Sequence, residues 1–245
     1  MSEVAPHDEI PITSTKPGII NLPQTSNAQT SERAYHHHEN FFIKRSLRPE
    51  EYLINNRGET IIPRLGKERL QNEAAALHYI RNTTDIPVPS LYGAFEIDNS
   101  FMVIMEHING IQMAKLSDEQ KVIVTKEVEQ HLATLRRLKS DTIGGPSGLV
   151  IPPYRVMNLS NNDSWARNRT TSSEAEYVFC HGDLSQHNIL VDPQTLRIQA
   201  IIDWEYAGFF PGYFEGLFYK RPGPSVALEE EYDDSVELLR FMKSV

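Results

Sequence analysis

The chain has 245 residues, 40% of them hydrophobic and 23% charged, which is enough apolar material for a sizeable core, as one bilobal unit or two small lobes. A formal charge of −9 argues against a nucleic-acid partner, whose phosphates call for a basic surface, and is compatible with a cationic small molecule. The single cysteine, Cys180, excludes an internal disulfide. No apolar run is long enough to span a bilayer and no signal-peptide core is present, so a cytoplasmic protein without a membrane partner is expected.

In chain order, residues 1–35 are poor in aromatics and rich in Pro, Ser, Thr, Asn and Gln, the composition of a disordered arm. His36, His37 and His38 follow. Adjacent histidines on an extended chain face opposite sides, so they read as solvent-exposed rather than as a metal site. The apolar Phe41-Phe42-Ile43 leads into Lys44-Arg45, and residues 46–65 form a loop containing Pro, Asn and Arg. The spacing of Leu70, Ala74, Leu77 and Ile80 predicts a helix over 66–81, with Glu73 near its start. Asp85-Ile86-Pro87-Val88-Pro89 ends it, because each proline drives its predecessor toward extended geometry. Residues 91–97 and 101–106 read as a hairpin around Asp98-Asn99-Ser100. Ser117 and Gln120 make a capping box that opens a long helix, whose stripe of Val124, Val128, Leu132, Leu135 and Leu138 is core.

Residues 140–176 are irregular. The glycines at 144, 145 and 148 are not set between a strand and a helix with a following Gly-Lys-Ser/Thr, so a Walker loop is excluded. Tyr154, Arg155 and Trp165 are candidates to border a pocket, since long loops in compact domains tend to cover sites. After the aromatic run 209–218, Glu229-Glu230-Glu231 and Asp233-Asp234 precede a short helix over 235–242. Acids at a helix start suit its dipole.

The informative stretch is 177–205, YVFCHGDLSQHNILVDPQTLRIQAIIDWE. It reads as strand, polar loop, strand, turn, strand, with Asp183, Asn188 and Asp203 at the strand ends. Phosphoryl transfer needs in-line positioning and neutralisation of phosphate charge, with little covalent work for the protein. Mg²⁺ takes a few hard oxygen ligands and leaves its other positions to water and phosphate. Asp183 is the candidate to align an acceptor hydroxyl and take its proton, and Asn188 and Asp203 are the candidate metal ligands. His181 reads as a brace for the loop.

HGDLSQHNILVD followed by AIIDWEYAGFFP resembles the aminoglycoside phosphotransferase / choline kinase-like family, in particular its fungal branch, over about Phe41 to Met242. The resemblance implies an α+β, bilobal protein-kinase-like fold with a small β-rich N-terminal lobe and a larger, mostly helical C-terminal lobe. It places a nucleotide-binding lobe and hinge at 36–108 and a catalytic, substrate-binding lobe at 109–245. Asp183 becomes the catalytic base, with Asn188 and Asp203 binding Mg²⁺. Lys44 contacts the nucleotide phosphates and pairs with Glu73, with Lys67 as the alternative lysine. Glu106 and Ile108 bind the adenine through their main chain at the hinge. The implied activity is ATP- and Mg²⁺-dependent phosphorylation of a hydroxyl on a small molecule. No glycine-rich loop precedes Lys44, so a non-catalytic, pseudokinase-type binding module stays open, as does protein-kinase-like activity on the same scaffold.

Overall fold

The computed structural model describes residues 26–170 and 177–245. Five strands, β1 (Ser26–Gln29), β2 (Arg33–His37), β3 (Phe41–Ser46), β4 (Leu91–Ile97) and β5 (Ser100–Glu106), form one antiparallel sheet in the order β1-β2-β3-β5-β4. The arm expected over 1–35 therefore needs correction. Residues 26–35 supply β1 and the start of β2, while the first 25 lie outside the described residues. These strands have no apolar alternation of their own. They form because the apolar β3 offers a backbone edge, with Tyr35 opposite Lys44 and His37 opposite Phe42.

Helix α1 (Gly66–Thr83) lies against this sheet and buries Leu70, Ala74, Leu77 and Ile80, the stripe read from the sequence. The loop before it is tethered at both ends. Arg45 forms a two-pronged pair with Glu51 at 2.6 and 2.7 Å, and Arg64 reaches Asp163 and the Met157 carbonyl in the other lobe.

The C-terminal lobe contains β6 (Ile111–Gln112), α2 (Asp118–Leu135), β7 (Lys139–Ser140), α3 (Tyr154–Met157), β8 (Tyr177–Cys180), β9 (Ile189–Val191), β10 (Ile198–Ile201), β11 (Gly208–Phe210) and α4 (Ser235–Ser244). It is less helical than the resemblance implies, because long irregular stretches separate these elements. The capping box of α2 is present: the Ser117 amide donates to the Gln120 side chain at 3.0 Å, and the Ser117 hydroxyl accepts from the Gln120 amide. The run 177–201 does not form one continuous hairpin. β8 joins β7 and β11 in one three-stranded sheet, whereas β9 and β10 join β6 in another. The polar loop 181–188 thus crosses between two sheets, which fixes it at both ends.

One apolar cluster runs through both lobes, joining Leu70, Leu77 and Ile80 of α1 to Val124, Val128 and Leu132 of α2 and to Ile189, Val191 and Trp204. A second gathers around β8, β11 and α4 and includes Phe210, Phe214, Leu238 and Met242. Among the described residues, no helix is long and apolar enough to cross a membrane.

The lobes are also joined by a buried carboxamide. Asn72 of α1 donates to the carbonyls of Glu205 (3.1 Å) and Ala207 (2.8 Å) and accepts from the Ser147 hydroxyl at 2.7 Å. Gly145 makes room for it, since a Cβ there would lie 1.9 Å from the Asn72 oxygen. Replacing Asn72 with alanine leaves buried carbonyls unpaired, at about 1–3 kcal/mol for each group stranded. The urea midpoint of Asn72→Ala is therefore expected to fall by the equivalent of a few kcal/mol with an unchanged slope.

Candidate active site

The site is built around a lysine with almost no solvent. Lys44 on β3 is 5% exposed. Its ammonium lies 2.9 Å from Glu73 on α1, in direct contact with Asp203, and 3.4 Å from Glu205. Burial favours the neutral amine, but the charges of Asp203, Glu205 and Glu73 override it and hold the Lys44 pKa well above its usual value. Burial, with the nearby Asp203 and Glu205 charges, raises the Glu73 carboxyl against the pull of Lys44. The long separation of Lys44 and Glu73 in sequence is bridged by the fold, because 46–65 loops out. Lys67 plays no part here; it pairs with Glu96 at the partly exposed edge of the lobe.

Glu205 is held by cations that sequence reasoning missed. Arg33 on β2 donates to it at 2.9 Å, and Arg69 on α1 lies 3.7 Å away. Both guanidinium groups are 1% exposed. Burial pushes the Glu205 pKa up, but Lys44, Arg33 and Arg69 outweigh it and hold the carboxyl far below the ordinary range. Arg69 also donates to the Tyr206 hydroxyl and to Glu32 in the β1–β2 turn. Arg69, Asn72 and Glu73, at i, i+3 and i+4, share one face of α1; Arg69 and Asn72 reach residues 205–207 and Glu73 reaches Lys44. That spacing was legible, as was the pairing of Glu73 with Lys44; the partners of Arg69 and Asn72 were not.

On the other side, Asp183 follows β8 in the crossing loop. Gly182 adopts φ +81°, and a Cβ on it would lie 2.7 Å from the Tyr206 carbonyl oxygen, so this turn requires glycine. His181 is fully buried. Its Nδ1 accepts from the Asp183 amide at 3.2 Å and its Nε2 donates to the Ile202 carbonyl at 3.0 Å. Burial lowers its pKa to about 4, so it stays neutral and ties the loop to the strand leading into Asp203. Trp204 packs against it with tilted rings 4.5 Å apart and is itself buried, donating to the Ile201 carbonyl at 2.8 Å. Glu215 is another residue missed from sequence. Its buried carboxylate accepts from the His181 amide and anchors the backbone of the loop from below. Ser185 and Gln186 point inward: the Ser185 hydroxyl accepts from the His187 amide and Gln186 donates to the Tyr219 carbonyl.

Asn188 donates from Nδ2 to the Asp183 carbonyl at 2.8 Å and to its carboxylate at 3.3 Å, which leaves the Asn188 Oδ1 for another partner. Asp203 sits in the left-handed region at φ 67°, with its side chain one-third exposed beside Lys44. An amide oxygen and a partly exposed carboxylate are hard donors of the kind that suit Mg²⁺. Burial, with the charges of Asp203 and Glu205, raises the Asp183 carboxyl to about 7, opposed by the Ser225 hydroxyl and the Asn188 amide.

Between the lobes is a cleft of about 310 Å³, with Lys44, Glu73 and Asp203 at one end and Glu106, His107, Ile108 and Gly110 at the other. Tyr35, Phe42 and Leu190 line its walls. Tyr35 and Phe42 stack at 5.9 Å, and His37 leans on Phe42 at 4.7 Å, so the triple-histidine segment contributes one side chain to the cleft. The Glu106 amide donates to the Ser90 carbonyl at 2.8 Å, and its carboxylate accepts from Ser90. The acids near the C-terminus are mostly engaged in structure. Glu231 pairs with Arg221, Asp234 with Arg155, and Asp233 accepts from the Ser235 amide. Arg155 is thus buried structure, Tyr154 is half-exposed and Trp165 packs on the second core cluster.

Residues 157–215 match the phosphotransferase enzyme family (APH). Over 65 residues the chain is 37% identical to probable choline kinase 1 of Arabidopsis thaliana, a stretch covering 26% of this chain and 18% of the plant protein. Its fold is the bilobal, kinase-like one of the aminoglycoside phosphotransferases. The apo form of a thermostable APH(4)-Ia mutant superposes with a TM-score of 0.53 at 13% identity, over 77% of this chain and 69% of that one. APH(3'')-Id from Streptomyces rimosus gives 0.54 at 16% identity, over 77% and 73%. A mutant aminoglycoside 2'-phosphotransferase-IIIa in its GDP complex gives 0.54 at 11% identity, over 82% and 72%. The matched residues include the whole loop from His181 to Asn188, Asp203 and Glu215.

Glu205→Gln leaves Arg33 and Arg69 buried without their carboxylate, and breaking such a pair costs about 3–5 kcal/mol. A drop of that size in unfolding free energy is expected; a loss within 0.5 kcal/mol, about that of a neutral surface change, would contradict the assignment. Asp183 gives a pH signature. An unfolded aspartate titrates near 3.9, the native one at about 7, so the native state binds the extra proton between them and wild-type stability falls as pH rises through that window. Asp183→Asn lacks this proton. Its stability relative to wild type should rise from pH 4 to pH 8 in urea titrations, and a pH-independent difference would refute the perturbation.

Proposed function

We propose that this chain is a Mg²⁺- and ATP-dependent kinase that phosphorylates a hydroxyl group of a small molecule. The observation that supports it most is the buried Lys44, held between Glu73 and Asp203 at the inner end of a cleft whose outer end is a backbone hinge. A cleft with apolar walls and one fixed cation at its base suits an aromatic base joined to a polyphosphate.

The adenine would lie between Phe42 and Leu190, with its edge toward the main chain of Glu106 and Ile108. The Glu106 amide is engaged with Ser90, so its carbonyl is the group available for the adenine amino group. Lys44 would contact the inner phosphates, its direction fixed by Glu73. Asn188 Oδ1 and the Asp203 carboxylate would hold the metal. When bound, Mg²⁺ supplies charge neutralisation on the phosphate oxygens. Asp183 would align the acceptor hydroxyl and receive its proton. A carboxyl poised near 7 accepts a proton more readily than an ordinary aspartate does. The Asn188 amide keeps that carboxylate oriented, and Glu215 and His181 hold its backbone. The chain's acidity favours a cationic acceptor, one bearing amines beside its hydroxyl.

The test is thermal unfolding with ATP alone, Mg²⁺ alone and both together. Ligand at 100 times its dissociation constant adds about 2.7 kcal/mol, a shift of a few degrees for a chain of this size. The full shift is expected only with both, and Asp203→Asn should remove the Mg²⁺-dependent part. Asp183→Asn should keep the shift yet lose about 10²- to 10⁴-fold in turnover of an accepted substrate. Binding without turnover of any hydroxylated compound by the wild type would instead favour a non-catalytic module.

A further inference from the structure

The N-terminal sheet ends on two unlike edges. At one, β1 is four polar or small residues, Ser26 to Gln29. At the other, β4 runs for seven residues and, among the described residues, pairs only with β5. Tyr92, Phe95 and Ile97 on this strand are 59%, 44% and 47% exposed. Natural edges are guarded by lysine, proline, charge or a covering element, because an open apolar edge pairs with other strands. From Gly93 to Ile97 this edge has neither lysine nor proline.

The turn at its end fixes which backbone groups are free. Asp98 and Asn99 are both left-handed, at φ 47° and 60°, and close Ile97 on Ser100 as a hydrogen-bonded pair. Phe95, opposite Met102, is then bonded to β5 as well, and the amides and carbonyls of Ala94 and Glu96 point away from the sheet. A register shift between Leu91 and Gly93 kinks the start of the strand and leaves 93–97 as its straight part. The Phe95 ring folds back over its own Gly93, where a Cβ would lie 3.7 Å from it.

Charge points to the partner. A chain of net charge −9 repels its own copies wherever its acids are unmatched. On this edge they are matched. Lys67 holds Glu96 at 2.5 Å, and Arg48 holds the Asp98 carbonyl at 3.2 Å and its carboxylate at 3.7 Å. Both cations belong to the loop before α1 or the residues just after it, and the exposed Ile54 and Ile62 of that loop add apolar surface on this side of the lobe.

We propose that β4 is a dimerisation edge, pairing antiparallel with β4 of a second copy of this chain across a two-fold axis at Phe95. In this register the outward groups of Ala94 bond those of the partner's Glu96, and the reverse. Phe95 faces its own counterpart in a non-hydrogen-bonded pair, where Cα atoms approach to about 4.5 Å and side chains meet most closely. Ile97 covers the partner's Gly93, and Glu96 lies beside the small Ala94. An axis at Glu96 would set two carboxylates face to face, and an axis at Ala94 would run each strand into the partner's kink. The two sheets become one of ten strands, five from each copy, and the β4–β5 hairpin that leads into Glu106 moves to its interior. This inference does not depend on the kinase reading of the cleft.

The experiment is sedimentation velocity on the full chain over a hundredfold range of protein concentration, where a species of twice the chain's mass is expected to build up. The Ala94 amide makes no bond to β5, so Ala94→Pro suits an edge strand. It removes two hydrogen bonds across the axis and should raise the dissociation constant about 30-fold. Phe95→Glu sets like charges opposite each other and should leave a monomer, whereas Phe95→Tyr should keep the dimer. Far-UV circular dichroism matching the wild type separates a lost interface from a lost fold. Under mild oxidation Phe95→Cys should form a disulfide-linked dimer, and the native Cys180 is buried. Tyr92→Cys should not, because its two copies lie about 20 Å apart along the strands. A wild-type monomer at every concentration overturns the inference and leaves the edge to a strand from another protein. A dimer that survives both Ala94→Pro and Phe95→Glu, or that cross-links equally through Tyr92→Cys, overturns it as well.

Discussion

A buried ammonium is the constraint around which this molecule is arranged. Removing Lys44 from water costs several kcal/mol unless negative charge is brought to it. The charges come from different places in the chain: Glu73 from α1, and Asp203 and Glu205 from the segment after β10. The cluster then carries more negative charge than one lysine balances, and Arg33 and Arg69 supply the rest. Each ion pair crosses between secondary elements, so together they set the distance from β2 and β3 to α1 and to residues 203–205. The β1–β2 turn, which lacks glycines, is drawn into the same network through Glu32 and Arg69.

The loop that carries Asp183 is held by a different means. Asp183 cannot be fixed by a countercharge without losing its basicity, and the structure fixes its backbone instead. Glu215 takes the His181 amide, neutral His181 bridges the Asp183 amide and the Ile202 carbonyl, and Trp204 packs against the imidazole. The loop is also pinned at its ends because β8 and β9 belong to different sheets. Fixed dipoles around a partly exposed carboxylate are what a preorganised site needs, since little has to move when a reactant arrives.

Much of this site was legible. Asp183, Asn188 and Asp203 could be chosen from spacing and chemistry, and they converge because short strands and a turn carry them. The stripe of α1 and the capping box of α2 were equally readable, since both are local patterns. The strands at 26–37 were not. Their composition is polar and without alternation, and they exist because β3 presents an edge to pair with. Glu215 lay in an aromatic run with no sign that its carboxylate would meet an amide 34 residues earlier. Arg33 fell within a stretch that read as an arm.

The amino-acid sequence by itself determined the chemistry on offer: which acids and amide stand at strand ends, which lysine follows an apolar strand, and which helix face is apolar. Those features depend on spacing within one element, a few residues at a time. Only the tertiary structure decided how the charges are shared. Lys44 took Glu73 rather than leaving Lys67 to do so, and Glu205 acquired two arginines. The physical reason is that a buried charge is settled by whatever else is desolvated beside it. That neighbourhood is assembled from residues up to 172 positions apart, as Arg33 and Glu205 are.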